Sequence, residues 1–164
     1  MPQFVTKHFG VIEYQLEAAL EFPAGVPGFE QETRFLALEQ PGTQPLVFLQ
    51  SLNRPDLCFI TLPVQVVEPD YRLAVSAEDL RALGLAQERQ PQIGTEVLCL
   101  AVVSVAEDRQ PTANLLAPIV VNLKTRRAVQ AIAADTGYSH QHPLLAAPQE
   151  ETCSSYAGAS GNQS

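Results

Sequence analysis

Short apolar runs separated by turn-forming residues account for most of this chain. Apolar and polar positions alternate from residue 4 to residue 14, which predicts two strands with a bulge or tight bend at Gly10 between them. The segments 40–43 and 53–56 are rich in residues that favour turns, and they separate further apolar runs. These runs predict strands at 18–22, 34–39, 46–50, 57–62 and 71–75.

The longest predicted strand, at 95–105, is expected in the centre of a sheet because nearly every position is apolar. After it, Thr112 and Asn114 are short polar residues that hydrogen-bond nearby backbone and favour a turn. Pro118 lacks an N–H and therefore suits the first residue of the β-branched strand that follows it. A hairpin turn at 124–126 comes next, with a weak return strand predicted from Val129, Ala131 and Ala133.

One short helix is predicted near residues 76–84. Ser76 can cap its N-terminus by accepting a hydrogen bond from the N–H of Asp79, and Gly84 suits the left-handed conformation at which many helices end. An α/β fold would need helices between the strands, and the pattern does not contain them. Many short strands with a single helix therefore predict an all-β fold, a small β-barrel or sandwich-like single domain.

The segment 22–30, FPAGVPGFE, predicts a rigid loop, because prolines fix φ and glycines permit positive φ. Phe22, Val26 and Phe29 are expected to attach this loop to the core. The same segment does not resemble a phosphate-binding loop, since its prolines remove N–H donors.

Charge narrows the class of partner. The formal net charge is −8 and the pI is about 4.8. This balance argues against direct binding to nucleic acid, whose affinity comes mainly from Lys and Arg on phosphates. It suits a basic protein partner or simple solubility, and the sequence leaves both interpretations open.

The segment MPQFVTKHFG lacks the apolar region of a secretory signal. The apolar run at 97–106 is shorter than the ~20 residues that a membrane-spanning helix needs. A cytoplasmic protein without a membrane partner is therefore expected.

The cysteines do not indicate a catalytic site or a disulfide framework. Cys58 and Cys99 lie in apolar runs, where burial raises the pKa of a thiol, and free thiols in a reducing compartment are expected. Cys153 lies in a polar segment near the C-terminus, which cannot hold a catalytic geometry.

Histidines and carboxylates give no stronger signal for chemistry. His140 and His142 could join His8 at a metal, but Pro143 follows and no carboxylate or cysteine has ligand spacing. The remaining acidic candidates lie in predicted loops: Glu30, Glu32, Glu68 and Asp70. We therefore predict a protein without catalytic residues, metal or cofactor.

Six segments of the chain occur in a recognisable order and spacing. They are FGVIEY at 9–14, EFPAGVPGFE at 21–30, LQS at 49–51, EPDYRLAV at 68–75, TANLLAPIVVNLKTRRAVQ at 112–130 and GYSHQHPL at 137–144. Together they closely resemble the FliW family of bacterial flagellar assembly factors, and the resemblance covers essentially residues 1–145. The combination of the Pro-Gly-Phe-Glu loop with the Thr-Ala-Asn-Leu-Leu-Ala-Pro turn is the most specific part of this resemblance.

The resemblance implies a small β-barrel-like domain that acts by binding. Its expected partners are CsrA, a translational regulator that holds RNA, and flagellin. Binding to CsrA would prevent repression of flagellin mRNA, and free flagellin would sequester the factor until flagellin is secreted. Two alternatives stay open: a chaperone-like binder of flagellin without CsrA function, and a small-molecule-binding or hydrolytic barrel.

Partner contacts are expected at acidic loop residues and a neighbouring aromatic: Glu30, Glu32, Glu68, Asp70 and Tyr71. The residues expected to be structural are Pro27, Gly28, Phe29, Asn114, Pro118 and Asn122. The chain departs from the family pattern at Leu62 and Ala128, which are predicted turn positions, and at Gln141, a predicted surface position.

The domain is expected to span residues 1–147, with a disordered polar tail at 148–164, because QEETCSSYAGASGNQS contains almost no apolar surface. A chain that ends at Pro148 should therefore unfold with the same cooperativity as the full chain and bind the same partners. Thermal unfolding and a pull-down with CsrA and flagellin measure both properties. Loss of partner binding on truncation would show that residues 149–164 form an interaction segment.

Overall fold

The computed structural model describes residues 1–132 and 136–144. Within these residues the chain is mainly β, which confirms the predicted fold class, and a 3-10 turn occupies Leu16–Ala18. The elements are β1 (Gln3–Thr6), β2 (Gly10–Glu13), β3 (Leu20–Glu21), β4 (Arg34–Leu38), β5 (Val47–Ser51), β6 (Cys58–Pro63), α1 (Val64–Val67), α2 (Ala77–Leu83), β7 (Val97–Ala106), β8 (Arg109–Ala113), β9 (Ile119–Asn122), β10 (Ala128–Gln130) and β11 (His142–Pro143).

Nine of the described strands form one sheet. Its main order is β10-β9-β7-β6-β5-β4-β3, with β8 paired to β7 and β11 paired to β8. The two end strands approach each other, since the N–H of Glu21 donates to the C=O of Arg126 at 2.9 Å and Glu21 forms an isolated bridge with Arg127. The sheet is therefore curled like a barrel, but among the described residues it does not form a closed one.

The predicted central strand is β7, and it is buried on both faces at its N-terminal half. Val97, Cys99 and Ala101 belong to one hydrophobic cluster, whereas Leu100 belongs to the second cluster, inside the curled sheet. Strand β9 divides in the same way, because Val120 packs in the first cluster and Ile119 in the second. This alternation between two cores explains why these strands have continuous apolar sequences.

One edge of β7 pairs with two strands in succession. Val103–Ala106 pairs with β8, and Val97–Leu100 pairs with β9, both antiparallel. Residues 114–118 connect β8 to β9 and lie opposite only residues 101 and 102 of β7. The connection is therefore a wide bulge between two strands that follow one another along the same edge.

Asn114 holds this bulge in place. Its N–H donates to the C=O of Val102 at 2.9 Å, and its Oδ1 accepts from the N–H groups of Leu116 at 3.1 Å and Ala117 at 2.9 Å. Leu115 is 1% exposed and projects into the first core cluster. The polar residue thus satisfies backbone groups that no neighbouring strand can reach.

Asn122 has a similar role at the β9–β10 hairpin. Its Oδ1 accepts from the N–H of Lys124 at 2.9 Å, and its Nδ2 donates to the C=O of Leu83 at 2.7 Å. Arg126 completes the turn with φ of +66°. The predicted hairpin is confirmed, and one asparagine links it to the last residue of α2.

The N-terminal hairpin β1–β2 packs on the outer face of the sheet. Phe9 contacts Phe48 edge to face, with ring centroids 5.4 Å apart, and the N–H of Lys7 donates to the C=O of Pro55 at 2.9 Å. Gly10 has φ of +67° and begins β2, so the predicted tight bend is confirmed.

The loop 22–30 is pinned as predicted. Phe22 and Val26 are buried, and Phe29 packs against the same cluster. Gly25 has φ of +72°, and a Cβ there would lie 2.3 Å from the C=O oxygen of Glu30. Only glycine permits this close approach, which folds the loop back on itself.

The predicted helix is confirmed at 77–83. Ser76 Oγ accepts from the N–H of Asp79 at 3.1 Å, and Gly84 caps the C-terminus with φ of +76°. The structure adds the four-residue helix α1, which the apolar pattern did not predict.

The strand predicted at 71–75 is wrong. Here the backbone bonds to side chains: the N–H of Val75 donates to Oε1 of Gln90 at 2.7 Å, and Nε2 of Gln90 donates back to the C=O of Val75 at 3.0 Å. The N–H of Arg72 donates to the hydroxyl of Tyr138 at 2.9 Å. Side chains therefore replace the neighbouring strand that would make this extended segment part of a sheet.

Three further predictions need correction. Strand β8 includes Thr112, which was expected in a turn, so the Asn114 turn follows β8 and not the longest strand. Leu62 lies in β6 opposite Ala101, and Ala128 lies fully buried in β10, so neither occupies a turn. Ala133 lies outside the described residues, as do the expected domain boundary at 147 and the tail.

Asn114→Ala should lower the free energy of unfolding by about 1–3 kcal/mol, because two backbone N–H groups lose their acceptor. For a chain of this size that corresponds to a fall in melting temperature of roughly 2–12 °C. Asn114→Asp is the matched control, since it keeps an oxygen at the same position. An unchanged melting temperature in the alanine variant would make Asn114 a functional residue instead of a structural one.

Candidate partner-binding groove

A groove of about 270 Å³ lies where the curled sheet fails to close. We call it the seam groove. It is lined by the loop that follows β3, by helix α2 and by strand β10. Its lining residues are Pro23, Ala24, Gly25, Pro27, Glu30, Glu78, Asp79, Ala82, Ala128, Val129 and Gln130.

Three carboxylates stand beside an otherwise mostly apolar surface in the seam groove. They are Glu30, Glu78 and Asp79, and no lysine or arginine is among the described residues that line the groove. The N–H of Gly28 donates to Oε2 of Glu30 at 3.0 Å, and this bond with the backbone lowers the pKa of the Glu30 carboxyl. Glu30 therefore carries its negative charge at neutral pH.

A second cavity of about 260 Å³ continues from the seam groove. The two share Pro27 and Gln130. The second cavity has apolar side chains from Val26 and Phe59 and polar ones that include His140. A segment lying along both would cross from an acidic region into a neutral, mixed one.

Glu32 belongs to the same loop as Glu30 but faces the interior. It is 6% exposed, and its Oε1 accepts from Oγ of Ser51 at 3.1 Å and from Nδ2 of Asn53 at 3.2 Å. Ser51 Oγ also accepts from the N–H of Arg54 at 2.9 Å. Because it is buried and hydrogen-bonded, Glu32 is not available to a partner, contrary to the expectation from sequence. It fixes the loop to the β5–β6 turn.

Tyr71 is likewise a core residue. Its hydroxyl donates to the C=O of Leu115 at 2.8 Å, and its ring stacks on Tyr138 with centroids 4.5 Å apart. Burial raises the pKa of the Tyr71 hydroxyl far above its usual value. The expectation that Tyr71 contacts a partner is corrected by its 6% exposure. Its role is to hold the bulge at Leu115 against the segment that follows α1.

Glu68 and Asp70 lie on the turn after α1. Asp70 is exposed and Glu68 is partly exposed, and the N–H of Asp70 donates to Oε2 of Glu68 at 3.4 Å. Neither residue lines the seam groove. The structure therefore places the accessible acidic candidates at two sites, Glu30 in the groove and this pair on a separate turn.

The described residues contain neither a reactive thiol nor a metal-binding cluster. Burial raises the pKa of the Cys58 thiol to about 11 and that of Cys99 to about 12, so both are poor nucleophiles. Within 1–132 and 136–144 no cluster of three or more His, Cys, Asp or Glu could hold a metal ion. Cys153 lies outside the described residues.

In the part of the chain that the structure describes, no helix is long and apolar enough to cross a membrane. The seam groove presents carboxylates beside apolar side chains, and such a surface is complementary in charge to a cationic, partly apolar segment.

Glu78 and Asp79 line the seam groove, although the sequence did not indicate them as candidate partner contacts. The sequence identifies them as favourable charges in the first turn of α2. Their proximity to Glu30 depends on packing of the helix beside β10, which no local pattern encodes.

Comparison with known proteins identifies the family. A family model described as FliW protein matches residues 3–144. The flagellar assembly factor FliW of Syntrophomonas wolfei subsp. wolfei is 32% identical over 158 residues, which cover 96% of this chain and 97% of that protein. The FliW of Heliobacterium modesticaldum is 34% identical over 87% of this chain and 90% of that protein. A crystal structure of the flagellar assembly factor FliW matches with a TM-score of 0.77 and 31% identity, covering 92% of this chain and 100% of that one. The resemblance found in the sequence is thus confirmed: this chain belongs to the FliW family.

Proposed function

We propose that this protein is a non-enzymatic flagellar assembly factor that works in the cytoplasm by switching between two protein partners. It binds the translational regulator CsrA and so antagonises repression of flagellin mRNA. It also binds flagellin, and the two partners compete for the available factor. Membership of the FliW family supports a role as a flagellar assembly factor, and the assignment of the two partners is our proposal.

The observation that carries the proposal is the seam groove, with its carboxylates and no lining cation among the described residues. A protein that holds RNA must carry positive potential, because affinity for RNA comes largely from Lys and Arg on phosphates. An acidic surface with apolar patches is complementary to such a partner. The apolar part would contribute the slow dissociation, and the charges would contribute orientation and a fast encounter.

Glu68 and Asp70 form a second acidic position that can assist the encounter. They lie on a solvent-exposed turn, where charge acts mainly on the association rate and not on dissociation. Glu30 can act in both ways: it is exposed, so its charge can assist the encounter, and it lines the seam groove.

The alternative function is flagellin binding without CsrA binding. Gln141, which departs from the family pattern, is exposed beside the second cavity, where a changed side chain could alter one partner's affinity. Immobilised full-length protein exposed separately to purified CsrA and purified flagellin distinguishes the two functions. Binding to both supports the partner switch, binding to flagellin alone supports the alternative, and binding to neither overturns the proposal.

Glu68→Lys combined with Asp70→Lys should slow association with CsrA several-fold at low ionic strength and weaken its dependence on salt, with little change in melting temperature. The reason is that exposed charges act at long range during encounter and contribute little to folding. Stopped-flow or biosensor measurement of the association rate at two salt concentrations tests this prediction.

The matched control is Glu107→Lys combined with Asp108→Lys. These two residues are exposed in the β7–β8 turn, and their replacement changes the net charge by the same amount. The control should slow association less than the Glu68 and Asp70 variant does. Equal slowing would mean that net charge matters and not this turn, and no slowing in either would show that the interface is mainly apolar.

A further inference from the structure

One edge of the end strand β10 pairs with β9, and the hydrogen bonds show which backbone groups lie on the opposite edge. The N–H of Asn122 donates to the C=O of Arg127 at 2.8 Å, and the N–H of Ala131 donates to the C=O of Pro118 at 2.8 Å. With Val129 opposite Val120, this pattern directs both backbone groups of Val129 toward β9. The N–H and C=O of Gln130 therefore point away from β9, toward the seam groove that Gln130 lines.

Strand β3 lies beside this edge but pairs with it at one position only. The bridge between Glu21 and Arg127 is parallel, so continuing the pairing would require residue 23 to donate its N–H to the C=O of Ala128. Residue 23 is proline, which has no N–H. Pro23 therefore ends the pairing and separates the loop from β10, which opens the seam.

The backbone of Gln130 is consequently free among the described residues. Its side-chain Nε2 donates to the C=O of Ala117 at 3.0 Å, but its backbone N–H and C=O pair with no strand that the structure describes. Gln130 is half-buried and lies where the seam groove meets the second cavity. An open strand edge that lines a groove is a template for an added strand.

We propose that the seam groove binds an extended segment of a basic partner as an additional strand on β10. Main-chain hydrogen bonds to Gln130 hold the segment, and its Lys or Arg side chains face Glu30, Glu78 and Asp79. The open part of this edge comprises Ala128 and Gln130, so a segment of a few residues suffices. The inference rests on the proposed function only in that the physiological partner is a basic protein.

Two variants of the full chain distinguish the contribution of the backbone N–H of Gln130 from that of its side chain. Gln130→Pro removes the outward N–H, and proline is tolerated at an edge position whose N–H makes no ladder bond. Gln130→Ala keeps that N–H but loses the same side-chain bond to Ala117, so it is the matched control. Melting temperatures of both variants report whether the fold is retained.

A third variant tests the charge. Glu78→Gln combined with Asp79→Asn removes two of the three groove charges while the backbone N–H of Asp79 still reaches Ser76. The N-cap bond of α2 is therefore kept.

The probe is a displayed library of random twelve-residue peptides, selected on the unmodified protein. We expect enriched sequences in which β-branched residues alternate with Lys or Arg. A synthetic peptide of the most enriched sequence should bind Gln130→Pro about five- to tenfold more weakly than Gln130→Ala, as loss of one hydrogen bond predicts. The charge variant should bind it more weakly than the unmodified protein, with a smaller dependence on salt.

Hydrogen exchange supplies a readout that does not depend on the proline variant folding. In the unmodified protein the amide of Gln130 should exchange freely, and it should become protected when the peptide is bound. The inference is overturned if no peptide is enriched, if the enriched peptides carry no positive charge, if Gln130→Pro binds as well as Gln130→Ala, or if the Gln130 amide stays unprotected. Since the probe is not CsrA, failure of this protein to bind CsrA would overturn the proposed function and leave this result unaffected.

Discussion

The fold depends on how the backbone of residues 114–118 is satisfied. Five residues lie opposite two positions of β7, so most of their N–H groups cannot reach a neighbouring strand. The Oδ1 of Asn114 accepts two of these N–H groups. Leu115 is then fixed in the core, where its C=O accepts the hydroxyl of Tyr71 and its N–H donates to the C=O of Ser139. The Asn114 side chain thus shapes the bulge, and the backbone of Leu115 links it to two distant segments. These bonds matter because a buried backbone group without a partner is costly.

Incomplete closure of the sheet is the structural origin of the proposed binding site. A closed barrel would have no free edge, whereas an open edge invites pairing with other chains. Here Pro23 stops the closure, and acidic side chains stand beside the edge that stays open. Because both copies would bring the same negative charges, these carboxylates disfavour pairing of two identical edges. The same charges favour a basic strand. The carboxylates thus both disfavour self-association through this edge and favour a basic partner.

Glu30 and Glu32 show how the same residue type acquires opposite roles within one loop. The carbonyl of Glu30 lies against Gly25 while its side chain stays exposed at the groove, bonded only to the nearby backbone. Two residues later the chain has turned, and Glu32 is enclosed by Ser51 and Asn53. The buried carboxylate of Glu32 fixes the loop to the β5–β6 turn, and the loop exposes the carboxylate of Glu30 at the groove. Without the glycine at position 25, the loop could not approach itself closely enough to produce this arrangement.

The elements predicted correctly from the sequence are those whose signals are local. The alternation of apolar residues predicted most strands, Ser76 and Gly84 predicted the ends of the helix, and Asn114 predicted the turn of the bulge. Each of these signals depends on residues only a few positions apart. Residues 71–75 were wrongly predicted as a strand, and β8 was not predicted. An extended backbone forms a sheet only if a strand lies beside it, and Gln90 occupies that place for Val75. Only long-range packing determines that Glu32 and Tyr71 are buried, that Glu30 and Glu78 line one groove, and that Gln130 lies on a free edge. These features depend on which distant segments the curled sheet brings together and on where its closure stops, and neither is encoded in the spacing of neighbouring residues.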